Sequence, residues 1–276
     1  MLLPTPTHTT PRHGRAPHTL SGEFRAHKGF RSKFLTNARD VLVYLPPGYD
    51  TDAERRYSVF YMQDGQNLFD GATSFIPGQE WRVDETAQAL VRAQAIEPVI
   101  IVGIYHAGVE RVDEYTPSAD PRRRLGGKAD LYGRLVVEEL KPFVDAQYRT
   151  KTGVADTALG GSSLGGLVTM YLGLRYPEVF GKLAVLSPSI WWDGRRILRD
   201  VAALASERRA RVWLDMGTDE GAYATADARR LRDALVSKGW GLGCDLHYYE
   251  AEGGKHTETA WARRVDPILR FLFPKV

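Results

Sequence analysis

Seven times between residues 41 and 252 the chain passes through a short, almost unbroken apolar run: "VLVYLP" (41–46), "YSVFYM" (57–62), "PVIIVGIY" (98–105), "TALGG" (157–161), "KLAVLSP" (182–188), "RVWLDMG" (211–217) and "DLHYYEAE" (245–252). Runs this apolar, rich in β-branched and aromatic residues, are strands buried on both faces. Helical patterns stand between them at 83–95, 130–148, 164–175, 195–206, 224–238 and 257–272. Strand alternating with helix predicts an α/β fold with a mostly parallel sheet, right-handed connections and helices on both faces. Earlier, from "LSGEFRAHKGF" to "VLVYLPPGYD", strand follows strand with no helix, so the sheet should open with antiparallel strands. With 276 residues, 43% of them hydrophobic, the chain is long enough for one large core. The expectation is a single domain over 18–276, without a separate lid domain, behind a flexible tail at 1–17 that has too little apolar surface to order itself.

The charges narrow the partners. Thirty-seven basic residues stand against 34 acidic ones, a formal net charge of +3, and they are spread along the chain. Nothing in that distribution calls for nucleic acid. The amino terminus, "MLLPTPTHTTPRHGRAPHTL", has only three residues before its first proline and does not read as an export signal. The longest apolar stretch, "VIIVGIY" (99–105), is far below the ~20 residues that cross a bilayer. A single cysteine, Cys244, excludes an internal disulfide. A cytoplasmic protein with no membrane partner is expected; the oligomeric state is not legible.

In an open α/β sheet, ligands bind beyond the carboxyl ends of the strands, so the loops that follow strands carry the chemistry. After "TALG" comes Gly161-Ser162-Ser163-Leu164-Gly165, a G-x-S-x-G between a strand and a helix. That placement makes a nucleophile elbow with Ser163 at its centre and Ser162 as a neighbour. A serine nucleophile needs a base and an orienting acid, and in this architecture they follow in the order serine, acid, histidine. Only His247 and His256 follow Ser163; His247 lies inside a strand, whereas His256 stands after the glycine pair of "EGGKHTETAW". For the acid, "WLDMGTDEGA" offers Asp219 and Glu220, and either carboxylate could meet His256. Two amides should face the developing oxyanion: Leu164 N–H, and Gln66 N–H in the loop "QDGQNLFDG" after "YSVFYM". Asp64 and Asn67 either shape that loop or meet substrate. Around the same edge Trp81, Trp191 and Trp192 are candidate cleft walls, although adjacent tryptophans cannot both face inward from one strand. The long loop from Tyr105 to Lys128 adds Arg111 and Tyr115, and its "PRRR" (121–124) is either a solvated charge run or a receptor for an anion.

Taken together, "YMQDGQNLFD", "EYTP" (114–117), "ELKPFVDAQYRT" (139–150), "GGSSLGGL", "YPEVFGKLAVLSPSIWW" (176–192) and "GGKHTETAW" resemble the putative-esterase family of α/β-hydrolases over about residues 19–273. That family includes esterase D-like, siderophore, feruloyl and acetylxylan esterases and mycolyltransferases. The resemblance implies a serine hydrolase with Ser163 as nucleophile and His256 as base. Hydrolases of this architecture often carry G-T-x-D after the strand, which makes Glu220 the preferred acid and Asp219 the alternative. It further implies a small-molecule ester substrate, short-chain, feruloyl-type or siderophore-type, with no metal and no other cofactor. Two rival readings remain: an acyltransferase using the same three residues, and a catalytically inactive ligand-binding hydrolase fold.

Overall fold

The computed structural model describes residues 17–205 and 210–275. The expected tail therefore lies outside the described residues except for Pro17, as does the last residue of the helix expected at 195–206.

Two strands come first, β1 (Glu23–Arg31) and β2 (Ala38–Leu45), and pair antiparallel. β3 (Ser58–Gln63), α1 (Val83–Arg92) and β4 (Val99–Ile104) follow. The loop expected after β4 holds a short helix, α2 (Arg111–Glu114), and a ribbon of β5 (Ala119–Asp120) with β6 (Leu125–Gly126). α3 (Ala129–Arg134) continues through a π-helical stretch, Leu135–Leu140, into α4 (Lys141–Gln147). Strand and helix then alternate: β7 (Thr157–Ser162), α5 (Leu164–Arg175), β8 (Lys182–Leu186), α6 (Trp192–Ala202), β9 (Arg211–Gly217), α7 (Ala222–Ser237) and β10 (Leu246–Ala251). Two helices, α8 (Glu258–Ala262) and α9 (Val265–Leu272), end the chain. The main sheet has the order β1-β2-β4-β3-β7-β8-β9-β10. β2 meets β4 antiparallel, and every pair from β4 to β10 is parallel. This is the α/β architecture that the alternating pattern predicts.

Because side chains alternate along a strand, each central strand feeds two cores. From β3, Val59 and Tyr61 enter the core beneath α3, α5, α6 and α7, while Phe60 and Met62 enter the one beneath α1 and α9. β1 is an edge, and it carries Glu23, Arg25, Lys28 and Arg31, charges of the kind that disfavour edge-to-edge pairing.

Two elements differ from the expectation. The single helix expected at 257–272 is broken at Arg263 and Arg264, since the ring of Pro267 obstructs the carbonyl four residues back and can only sit in the first turn of a new helix. The loop after β4 is pinned from below: Glu114, fully buried, accepts from the equally buried Arg39 at 2.9 Å and from Asn37 at 2.5 Å.

The glycine cluster around Ser163 answers to close packing. A Cβ on Gly160 would stand 2.6 Å from the Phe60 ring, and one on Gly166 2.7 Å from the Leu186 carbonyl oxygen, a backbone atom of β8. Glycine lets α5 rest directly on the sheet. Gly166→Ala gains about 1 kcal/mol of helix propensity, yet overpacking against rigid backbone costs about 1–3 kcal/mol. The expected outcome is a net loss of stability in urea denaturation, while Gly153→Ala, with open space around it, leaves the midpoint unchanged.

Candidate active site

The parallel strands β7, β8, β9 and β10 are neighbours, so the loops at their carboxyl ends gather on one edge. Ser163 sits between β7 and α5 with φ 59 and ψ −123, a backbone state that residues with a Cβ rarely adopt. Three hydrogen bonds clamp it there: its N–H donates to Leu186 O at 3.1 Å, and its carbonyl accepts from Leu167 N and Ser189 N at 3.0 Å each. A Cβ on Gly161 would lie 2.8 Å from the Gln63 side chain and 3.0 Å from the Gly165 carbonyl carbon, so the flanking glycine is a steric requirement.

The loops after β9 and β10 are tied to each other. Asp219 N–H donates to Gly254 O at 3.0 Å, and Gly253 N–H, at φ 63, donates to Thr218 Oγ1 at 2.8 Å. His256 is thereby held with Nδ1 2.6 Å from Glu220 Oε2 and Nε2 2.9 Å from Ser163 Oγ. With the ring proton assigned to Nδ1, that nitrogen donates to the carboxylate and Nε2 accepts from the serine hydroxyl. The imidazole and the Trp261 ring stand nearly perpendicular, with centroids 4.8 Å apart. Asp219, one residue from Glu220, is exposed.

Glu220 lies beneath the imidazole, its side chain 3% exposed. Its Oε1 accepts from Ser187 Oγ at 2.6 Å, from Gly217 N–H at 2.9 Å and from Arg264 Nη2 at 3.4 Å. Arg264, itself buried, also donates to Asp215 Oδ1 at 2.6 Å and to Ser187 Oγ at 2.9 Å. Burial drives the Glu220 carboxyl up, but hydrogen bonds from His256, Ser187 and the Gly217 N–H outweigh it and hold the group below its ordinary value. Ser187, Asp215, Arg264 and Trp261 escape sequence reasoning, because their partners lie 28 to 77 residues away.

Leu164 opens α5 immediately after Ser163, and Gln66 lies in the turn Gly65–Asn67 after β3. That turn is rigid. Asp64 is left-handed at φ 55, and Arg111 grips its carboxylate with Nε at 2.6 Å and Nη2 at 2.7 Å. A Cβ on Gly65 would lie 2.5 Å from the backbone of Gly103.

Three of the proposed cleft residues are not in the cleft. Trp81 is buried against Trp261, at 5.7 Å between rings, in the core under α1. Tyr115 is fully buried and supports the turn from beneath, its hydroxyl 3.4 Å from Asp64 N. Trp192 is buried because its Nε1 donates to Ser118 O at 2.8 Å, and its neighbour Trp191 turns out to solvent instead. Asp64 and Arg111 do line the cleft, but each neutralises the other. Asn67 is committed to structure as well: its Oδ1 accepts from Phe75 N–H at 2.9 Å, and its Nδ2 donates to Glu258 Oε1 at 3.4 Å.

What the sequence did not announce is the apolar wall. A cleft of about 650 Å³ opens on Ser163 and His256, and Phe75, Ile76, Val109 and Val112 line it beside Asp64 and Arg111. His106 lines it too, and burial pushes its imidazole down. On the other side of His256 lies a groove of about 440 Å³ bounded by Ser189, Trp191, Arg195, Met216 and Tyr223. No cluster of three or more His, Cys, Asp or Glu that would hold a metal, and no helix long and apolar enough to cross a membrane, occurs among the described residues.

Known proteins resemble this chain over much of its length. YjcH, an uncharacterized protein of Bacillus subtilis, is 28% identical over 254 residues, covering 88% of this chain and 95% of that protein. The siderophore enterobactin esterase of Emericella nidulans is 29% identical over 178 residues, 58% of this chain and 57% of that one. Among solved structures, the BES protein from Bacillus cereus superposes with a TM-score of 0.75 at 23% identity, covering 96% of this chain and 99% of that one, which shows a shared fold. The Putative esterase family model matches residues 32–272. The chain belongs to the Putative esterase family and is an esterase.

Proposed function

We propose that this esterase is a serine carboxylic-ester hydrolase working through an acyl-enzyme, with 18–276 as one catalytic domain. The observation that carries the reading is the relay from Ser163 Oγ to His256 Nε2 at 2.9 Å and from His256 Nδ1 to Glu220 Oε2 at 2.6 Å. Ser163 Oγ adds to the ester carbonyl as its proton passes to His256 Nε2. Glu220 orients the imidazole and offsets the charge it gains. The Leu164 and Gln66 amides hold the oxyanion, in a turn kept rigid by the Asp64–Arg111 pair. When the carbon–oxygen bond to the alcohol breaks, the leaving oxygen takes the proton from His256. Water then adds to the acyl carbon, giving a proton to His256; Ser163 Oγ leaves with that proton and the acid is released.

The apolar cleft beside Ser163 suits the acyl part. Phe75 is 78% and Val109 92% exposed, so the cleft is open and shallow, a fit for short-chain or flat feruloyl-type and siderophore-type acyl groups. Each additional buried CH₂ is worth about 0.8 kcal/mol, so a deep tunnel would make kcat/KM climb steadily with chain length. With 4-nitrophenyl esters from acetate to palmitate, the maximum is expected below ten carbons; a later maximum would refute the shallow cleft.

Ser163→Ala should lower kcat by roughly 10⁵-fold or more and abolish labelling by a fluorophosphonate, whereas Ser162→Ala should retain both. Intact labelling of Ser163→Ala would refute the assignment. Glu220→Gln should lower kcat by roughly 10²- to 10⁴-fold, and more than Asp219→Asn does. Glu220 also links pH to stability. A carboxylate whose value is lowered by folding stabilises the protein above its unfolded value of about 4.3, and that contribution vanishes as the pH falls through the folded value. The Tm gap between the native protein and Glu220→Gln should therefore be widest near neutrality and close in acid.

A further inference from the structure

Beyond the groove that borders His256 lies a second one, of about 650 Å³, between the β5–β6 ribbon and the start of α6. Trp191 and Arg195 line both and form the wall between them. Arg122, Arg123, Arg195 and Arg199 face this second space, against only Asp120 and Asp193. We propose that it is a subsite for a negatively charged group on the leaving alcohol, with the flat part of that alcohol on the face of Trp191. The proposal rests on the serine-hydrolase reading and assigns the alcohol side of that same site.

Three observations support it. First, the positive charge is not fully neutralised. Arg195 shares the carboxylate of Asp227 with Arg230, at 2.7 and 2.6 Å, so one anion serves two guanidinium groups. Arg199 stands 4.0 Å from Asp193, and Arg122 forms no ion pair among the described residues. Second, Trp191 is presented outward at 48% exposure beside the basic groove, with the Arg123 guanidinium, itself paired with Asp120 at 3.3 Å, 5.0 Å from its ring centroid, so the flat part of a ligand would meet an aromatic face next to Arg122 and Arg199. Third, the backbone is strained at this wall. Asp193, Gly194 and Arg195 are consecutively left-handed, with φ of 43, 61 and 65, and a bond from Ser118 Oγ to Asp193 Oδ2 at 2.6 Å closes the turn. Two of the three carry a Cβ, which that region disfavours, and a regular helix start would avoid this. The turn holds Arg195 where it lines both grooves.

His256 lines both spaces, and their unlike chemistry divides the ester between them: the groove that leads past Trp191 and Arg195 to the basic residues takes the anionic alcohol, and the apolar cleft at Ser163 takes the acyl group.

Acetate esters of 3-hydroxybenzoate and 3-hydroxybenzamide test this, since they differ by one charge at nearly constant shape. The native protein should prefer the anionic ester by about tenfold in kcat/KM at low salt, and the preference should shrink as salt is added. In the double variant Arg122→Gln/Arg199→Gln, the ratio of anionic to neutral turnover should fall towards one, chiefly through KM, with circular dichroism unchanged. Equal preference in the native protein, or a ratio the double variant does not move, overturns the subsite. If the native protein hydrolyses neither ester and takes no fluorophosphonate label, the serine-hydrolase reading fails instead. Ligand-observed NMR of 3-hydroxybenzoate and 3-hydroxybenzamide on Ser163→Ala then still decides the subsite: tighter binding of the benzoate that needs Arg122 and Arg199 supports it, and equal binding refutes it.

Discussion

The arrangement at the reactive edge depends on one buried cation. Arg264 stands where α8 gives way to α9 and reaches under the sheet edge to Asp215 on β9, to Glu220 in the loop beyond it and to Ser187 after β8. Removing one member of a buried charge cluster leaves another uncompensated, at a cost of about 3–5 kcal/mol. The network therefore couples the terminal helices to the depth and orientation of the Glu220 carboxylate. The break in the helical run is what puts the guanidinium there, and Pro267 is the local cause of that break.

From this anchor the site is built outward in layers of decreasing burial. The side chains of Asp215 and Arg264 are buried, that of Glu220 nearly so, and that of His256 is close to half exposed. An acid held this firmly keeps the imidazole oriented although its other side faces solvent. A parallel sheet is suited to this, because adjacent strands deliver successive loops to one edge. Hydrogen bonds between the β9 and β10 loops then set the spacing of Glu220 and His256. On the far side of Ser163 a second rigid unit repeats the device: the Asp64–Arg111 pair holds the turn bearing Gln66, and the buried Arg39–Glu114 pair holds the loop bearing Arg111.

The two sides of the Ser163–His256 pair are chemically unlike. One is walled by Phe75, Ile76, Val109 and Val112, and the other runs past Trp191 and Arg195 to a basic groove. Under the proposed mechanism such asymmetry would give an ester a preferred direction in the site. It arises outside the main sheet, from loops and from the short helical segments α2 and the start of α6, where a change of sequence disturbs no pairing in that sheet.

Alternating apolar runs and helical periods were sufficient to read the parallel sheet, its antiparallel start and the two helical layers, since these follow from burial patterns repeated over short distances. The G-x-S-x-G between a strand and a helix, the late His256 and the carboxylates after β9 were legible for the same reason, because each is a local signal at a strand end. Tertiary structure alone decided the rest. Glu220 rather than Asp219 meets His256 because one step around a tight turn sends adjacent side chains in different directions. Trp81, Tyr115 and Trp192 are buried, and Trp191 is not, because a hydrogen bond to Ser118, ring contacts and the floor of the turn compete for them across the fold. Arg264 with its partners, and Arg111 with Asp64, are pairings between residues far apart in the chain. Periodicity records which face of an element is buried, but which side chain lies opposite it is set only when the strands and loops have packed.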